Sequence, residues 1–277
     1  MFHIIKSYLK FLLNSKNQHG VHSPFVFDLV TKCFYDKKKY PEYSILKEYR
    51  KSLLENQNTI EVTDFGAGSR VFKTNQRKIS AIANNAGISP KNAEFLFRIV
   101  RYFQPESILE IGTSLGLATS ALSLGNKNAK IISLEGCPNT LKVAKNKFQV
   151  SSFKLNCENI DFINTEFSSY LKTYNPSPIT HHLVYFDGNH SKSATVEYFE
   201  LLLPTISNDS VWIFDDIHWS KDMEEAWKII KNHPKVTVTI DTFQWGIVFF
   251  RTEQTKEHFI INPNKTISSH IFERIRI

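Results

Sequence analysis

The stretch ILEIGTSLG, residues 108–116, decides how this chain folds. Ile108, Leu109 and Ile111 make a short apolar run suited to a buried strand, and Leu115–Leu124 reads as a small-residue helix. Between them, Gly112 and Gly116 let the backbone turn tightly and leave a ligand free access to it. The helix N-terminus that follows can face a carboxylate or a phosphate. The next strand, KIISLE (130–135), ends at Glu135, nineteen residues past Gly116. An acid at that place suits the hydroxyls of a ribose. A second glycine-rich stretch, TDFGAGSR (63–70), fails the same tests. VFKTNQRKIS after it shows no apolar helical face, and Glu94, the acid at a similar distance, falls inside a helix. The cofactor seat is therefore assigned to 108–116.

Working outward, strands and helices alternate. Strands are expected at 107–112, 130–135, 159–164, 182–187, 210–215, 235–241 and 246–251. Helices are expected near 115–124, 138–148, 167–173, 192–202 and 221–231, and another starts at Ser89, a cap residue followed by Pro90. Such βα alternation implies a parallel sheet covered on both faces. The link between the last two strands is too short for a crossover helix, so the final strand runs antiparallel. The expected fold is thus α/β: a doubly wound, Rossmann-like, seven-stranded, mostly parallel sheet with a reversed terminal strand. A helical extension with the glycine-rich loop precedes it (1–80), and the cofactor-binding domain fills 81–277. Residues 57–80 read as polar and loop-like.

Composition narrows the function. The first sixty residues carry ten Lys and Arg against five Asp and Glu, and the remaining 217 carry 24 against 22. The larger part is near neutral, which argues against a surface that wraps nucleic acid. Cys33, Cys137 and Cys157 are odd in number and match no zinc spacing, so they read as reduced thiols of a cytoplasmic protein. There is no run of 18 apolar residues and no signal-peptide pattern.

The pattern E-x-G-x-x-x-G with an acid ending the second strand resembles the class I S-adenosylmethionine-dependent methyltransferases, whereas a dehydrogenase more often shows G-x-G-x-x-G. The resemblance spans about residues 88–252. Within that superfamily, VYFDGNHSKSATVEYFELLLPTISNDSVWIFDDIHW (184–219) is similar to the small-molecule O-methyltransferases of the catechol, caffeoyl-CoA and macrolide-sugar types. The resemblance implies that Glu110, Gly112, Thr113 and Ser114 line the methionyl end of S-adenosylmethionine, beside Gly116. It implies that Glu135 binds the ribose, Glu166 and Phe167 lie near the adenine, and Asp187 borders the cofactor. It also implies that Asp187, Asp215 and Asp216 hold a divalent metal. One departure stands out: Asp216 occupies a place usually held by Asn, and His190 a place usually held by Lys.

The residues themselves support parts of this. Asp187 and Asp215 end neighbouring strands at the carboxyl edge, where open α/β sheets bind ligands. Converging carboxylates repel unless a proton is shared or a cation such as Mg²⁺, Mn²⁺ or Ca²⁺ sits among them. His190, three residues past Asp187, is a candidate base for a substrate hydroxyl, since imidazole is the side chain whose ordinary titration lies nearest neutrality. A metal-independent reaction with the His190 base is the alternative. His218 and Trp219 are candidates for the wall of an acceptor pocket, and Asp241, Gln244 and Trp245 for its selectivity. An N-methyltransferase acting on nucleic acid or protein would more often show Asn/Asp-Pro-Pro-aromatic after the fourth strand, where this chain has Phe-Asp-Gly-Asn-His. Arg70 and the 63–70 stretch are candidates for a lid. Finally, the broad apolar face of residues 2–13 either docks on the protein, on its own domain or in a homodimer, burying Phe2, Ile5, Leu9 and Leu12, or lies peripherally on a membrane beside Lys6 and Lys10.

Overall fold

The computed structural model describes residues 2–63, 74–150, 153, 155, 158–173 and 180–263. The stretch from Asp64 through Arg70, like Cys157, lies outside the described residues. Three helices open the chain: α1 (Phe2–Asn14), α2 (Pro24–Leu29), which runs into a π-helical turn at Val30–Phe34, and α3 (Glu42–Leu54). Residues expected to be a loop instead form an antiparallel ribbon of β1 (Thr59–Glu61) and β2 (Gln76–Lys78), followed by α4 (Ile79–Asn85). The helix is built on Ile79, Ile82 and Ala83, all buried at helical spacing. Next comes α5 (Pro90–Phe103), whose Ser89 cap accepts from the Asn92 N–H with Pro90 in the first turn, as its sequence implies.

The main sheet starts with β3 (Ser107–Ile111), α6 (Leu117–Gly125), β4 (Lys130–Glu135), α7 (Pro138–Phe148), β5 (Ile160–Asn164) and α8 (Phe167–Thr173). It continues with β6 (Leu183–Phe186), α9 (Lys192–Leu202), β7 (Val211–Asp215), α10 (Lys221–Asn232), β8 (Val238–Asp241), β9 (Trp245–Phe249) and β10 (Glu257–Ile260). The strand order is β10-β8-β9-β7-β6-β3-β4-β5. The order reverses direction at β3, and β9 runs antiparallel to both β7 and β8. All seven expected strands form. The eighth, β10, lies parallel to β8 at the edge and starts with the exposed pair Glu257 and His258, so no apolar run announced it.

Strands β6, β7 and β9 are buried along their whole length, as a sheet covered on both faces requires. One hydrophobic cluster joins the extension (Val26, Leu29, Tyr49, Leu53) to α5, α6 and one sheet face. The other packs Tyr198, Phe199, Trp212, Phe214 and Trp227 on the opposite face. Ser191 and Ser220 cap α9 and α10 with their hydroxyls.

Helix α1 docks on its own chain, but with a different rotation from the expected one. Ser7 and Phe11 are buried, whereas Ile5, Leu9 and Leu13 are 40%, 53% and 87% exposed. Polar and aromatic fits set the rotation: Ser7 Oγ donates to Glu224 Oε1 (2.6 Å), while Tyr8 and Phe11 pack on Phe243. No helix among the described residues is long and apolar enough to cross a membrane.

Candidate active site

The parallel register brings the site together. Ile111 pairs with Phe186 and Phe186 with Phe214, so Gly112, Asp187 and Asp215 emerge side by side at the carboxyl edge. The Asp187 N–H donates to the Ile111 carbonyl (2.9 Å). Gly112 has φ +107°, and a Cβ there would stand 2.3 Å from the Asp187 carbonyl oxygen, so only glycine lets the two strand ends approach. Four non-glycine residues of positive φ, Ser114, Asn189, Asp216 and Phe243, also sit on loops at this edge. Such backbone costs energy and is characteristic of functional sites.

Glu110 on β3, Glu135 at the end of β4 and Thr113 brace the turn. Glu110 is fully buried, and its Oε2 accepts from Thr119 Oγ1 (2.6 Å) and from Ser133 Oγ. Burial pushes its carboxyl up to about 7, although the two hydroxyls and their hydrogen bonds oppose the shift. Its Oε1 is buried with no hydrogen-bond partner. Glu135 accepts from the Ser114 N–H at Oε2 (2.7 Å) and from the Cys137 N–H at Oε1 (2.8 Å). Burial raises its carboxyl above the usual range, and these N–H groups pull it back. Thr113 Oγ1 meets Ser133 Oγ, so turn and second strand are laced together.

Gly116, at φ +78°, opens α6, and the sequence assigned its freedom to ligand access. The structure gives it another neighbour: a Cβ there would stand 2.7 Å from Tyr49 Oη and 2.9 Å from Phe148 Cε2. Tyr49, fully buried on α3, donates to the Leu115 carbonyl (2.8 Å). The next residue, Arg50, donates to the carbonyls of Ala83 and Ile88. Two successive residues of the extension thus hold both walls of a cleft, between Ile82–Ile88 and Gly112–Ala118, that reaches Asp187. Nothing in the sequence signalled Tyr49 or Arg50. The α4 wall is legible from Ile79, Ile82 and Ala83, which recur at helical spacing.

Glu166 and Phe167 lie at the start of α8. The Glu166 carboxylate caps that helix, accepting from the Ser168 N–H (3.0 Å) and the Ser169 N–H (2.7 Å). Phe167 packs on Gly188, where a Cβ would stand 2.4 Å from its ring. Phe167 therefore borders Asp187, while Glu166 remains exposed and committed to the helix end. Thr63 N–H donates to Cys137 Sγ (3.4 Å), so the chain enters the glycine-rich 63–70 stretch beside the Glu135–Cys137 turn.

On the other side, Asp187 lies close to Asp215 and Asp216. Burial, then the charge of Asp215, raises its carboxyl well above the usual range. His190 Nε2 lies 3.5 Å from Asp187 Oδ1, and Tyr185 Oη is 3.5 Å from Asp187 Oδ2. The His190 ring stands 6.1 Å from that of Trp219. Gln244 Nε2 donates to Asp215 Oδ1 (2.5 Å) and to Asp216 Oδ1 (2.8 Å).

His218 and Asp241 belong to a separate network. His218 Nδ1 meets Glu224 Oε1 and its Nε2 meets Asp241 Oδ2, each at 2.8 Å, and its ring stacks on Phe243. Burial lowers the imidazole's pKa, but the two carboxylates outweigh it and the net shift is upward. His218 therefore anchors α10, β8 and, through Ser7 on Glu224, α1. Trp245 is buried, stacked on Phe95.

Two groups bear on these residues, S-adenosylmethionine and a divalent metal. For S-adenosylmethionine the residues fit: a left-handed glycine that no side chain can replace, an unpartnered buried Glu110 oxygen, and the Glu135 carboxyl at the end of β4. For a divalent metal the donor types are suitable, since oxygen ligands favour such cations. The arrangement does not fit. Among the described residues no group of three or more His, Cys, Asp or Glu side chains is disposed to hold a metal ion. The Gln244 amide nitrogen, a hydrogen-bond donor, is shared between Asp215 and Asp216.

A family model described as a methyltransferase domain matches residues 109–217, the glycine turn through Ile217. No curated protein sequence matches significantly. Among solved structures, the chain is similar to the S-adenosylhomocysteine-bound methyltransferase PaMTH1 of Podospora anserina (TM-score 0.58, 14% identity, 83% of this chain and 97% of that one). It is also similar to TomG, an O-methyltransferase from Streptomyces achromogenes in complex with SAM (0.53, 14%, 77% and 91%). A third is an O-methyltransferase from Bacillus cereus in complex with SAH (0.51, 16%, 78% and 93%). At these identities the structural likeness establishes the fold. The stretch from residue 109 to 217 thus matches a methyltransferase domain, set in the fold that these solved methyltransferases share.

Proposed function

We propose that the chain methylates a hydroxyl group of a small molecule, with His190 receiving the hydroxyl proton. The observation that carries this reading is the pairing of His190 Nε2 with Asp187 Oδ1 (3.5 Å) at the strand end against which Gly112 packs. A base thus stands beside the seat of the methyl donor. Bound there, S-adenosylmethionine supplies an electrophilic methyl on a sulfonium. Glu110, Gly112, Thr113 and Ser114 would hold its methionyl end, Glu135 its ribose, and Phe167 the side toward the adenine.

The chain's own contribution is orientation and proton transfer. The hydroxyl oxygen forms the new bond to carbon as the carbon–sulfur bond breaks, its electron pair staying on sulfur. The hydroxyl proton passes to His190 Nδ1, the ring nitrogen that does not face Asp187. Asp187, 3.5 Å from Nε2, orients the imidazole. Tyr185, Phe186 and Phe214 keep the floor beneath the carboxylates dry, which strengthens these interactions. The turn after β6 is Phe-Asp-Gly-Asn-His, which offers a base for a hydroxyl and no Pro-Pro-aromatic platform for a planar amine. Methyl-labelled S-adenosylmethionine, incubated with hydroxyl- and amine-bearing acceptors and read by mass spectrometry, tests this. Label on oxygen that falls sharply in His190→Gln supports the proposal. Label only on nitrogen, or full activity in His190→Gln, overturns it.

A further inference from the structure

We infer that Gln244 takes the place of a divalent cation: its amide bridges Asp215 and Asp216 and keeps the acid cluster free of metal. The inference deepens the proposed chemistry, which uses no metal. It starts from charge balance. Asp187, Asp215 and Asp216 converge at the ends of two adjacent strands, and three ionised carboxylates in one small space are strongly unfavourable without compensation. The structure compensates with a group of its own. The amide nitrogen of Gln244 donates one hydrogen to Asp215 Oδ1 and the other to Asp216 Oδ1. Both hydrogens of that nitrogen are used, and the oxygens that would pinch a cation turn toward the amide instead.

Two further observations support a built arrangement. Asp216 adopts φ +55°, a conformation uncommon for a residue with a side chain, and its carboxylate meets the amide from there. Gln244 projects from the β8–β9 turn, which Asp241 and Thr242 fix: Asp241 Oδ1 accepts from the Phe243 N–H (2.8 Å), and the Thr242 N–H donates to the Trp245 carbonyl (2.8 Å). The remaining Gln244 oxygen, Oε1, is buried without a hydrogen-bond partner, so the amide is held by its nitrogen alone.

The test is Mn²⁺ binding to the full-length protein, read by electron paramagnetic resonance so that no acceptor is needed. The wild type is expected to show no stoichiometric site up to about 1 mM Mn²⁺. Gln244→Glu, close in shape, removes a donor and adds an oxygen ligand, and Gln244→Ala removes the bridge. At least one of these is expected to gain a site about tenfold tighter or better, with an unchanged circular dichroism spectrum. A stoichiometric site in the wild type overturns the inference, and so does failure of both folded variants to gain one. If both variants misfold, Asp216→Asn decides: the wild-type amide must still exclude Mn²⁺ there, and binding overturns the inference. None of these readings depends on methyl transfer, so they stand apart from the identity of the acceptor.

Discussion

Replacing Gly116 with Ala probes whether the N-terminal extension and the cofactor turn are one mechanical unit. Two costs apply. A side chain at φ +78° costs roughly 1–2 kcal/mol. The added Cβ would also stand 2.7 Å from Tyr49 Oη and 2.9 Å from Phe148 Cε2, and such overpacking typically costs about 1–3 kcal/mol. The single variant should therefore lose about 2–5 kcal/mol, measured by urea denaturation. Tyr49→Phe alone leaves the buried Leu115 carbonyl without its 2.8 Å partner, at about 1–3 kcal/mol. In the double variant the phenolic oxygen that obstructs the Cβ is gone and its hydrogen bond is already lost. The combined loss should fall short of the sum by about 1 kcal/mol or more. Additivity within about 0.5 kcal/mol would refute the argument, as would a Gly116→Ala protein as stable as the wild type.

Other expectations follow from the remaining contacts. His218 has a folded-state pKa raised above the ordinary 6.5, so its network contributes stability that is complete below 6.5 and lost as pH rises through the higher folded value. Denaturation across pH should show that decline in the wild type, while His218→Gln is less stable at low pH and flat over the same window. His190→Gln should lower kcat by about 10²–10⁴-fold with little change in cofactor affinity, measured by initial rates and calorimetry. Deleting residues 2–14 uncovers Phe243 and frees Glu224 from Ser7, so the truncated chain should aggregate or change oligomer size on a sizing column. Because α1 is docked, full-length protein should not pellet with anionic vesicles. Salt-sensitive pelleting that Leu9→Lys abolishes would show instead that the exposed Ile5, Leu9 and Leu13 stripe meets lipid.

The sheet was legible because its strands are continuous apolar runs, and the register of such runs is set by burial on both faces. Glu135 and Asp215 end those strands and Asp187 directly follows one, so the sequence placed them at one edge. What escaped depends on contacts distant in the chain. Tyr49 and Gly116 are 67 positions apart and meet only because α3 packs across α6. Strand β10 forms on an edge where alternation is weak and half its residues face solvent. The rotation of α1 was misjudged because apolar content pointed to Ile5 and Leu9, whereas the Ser7–Glu224 hydrogen bond and the Phe243 ring decide it. Gln244, marked in the sequence only as a selectivity candidate, reaches Asp215 and Asp216 from the β8–β9 turn, a contact that no local pattern announces.

The central claim, that the turn at 108–116 and Glu135 seat the methyl donor, is tested most directly by calorimetric titration with S-adenosylhomocysteine. The wild type should bind one equivalent. Glu135→Ala, which loses the charge-assisted contacts to the ribose and its hold on the Ser114 N–H, should bind about tenfold or more weakly. Asp64→Asn, in the rival glycine-rich stretch, should bind as the wild type does. Undiminished affinity in Glu135→Ala, with the loss appearing in Asp64→Asn, would contradict the account.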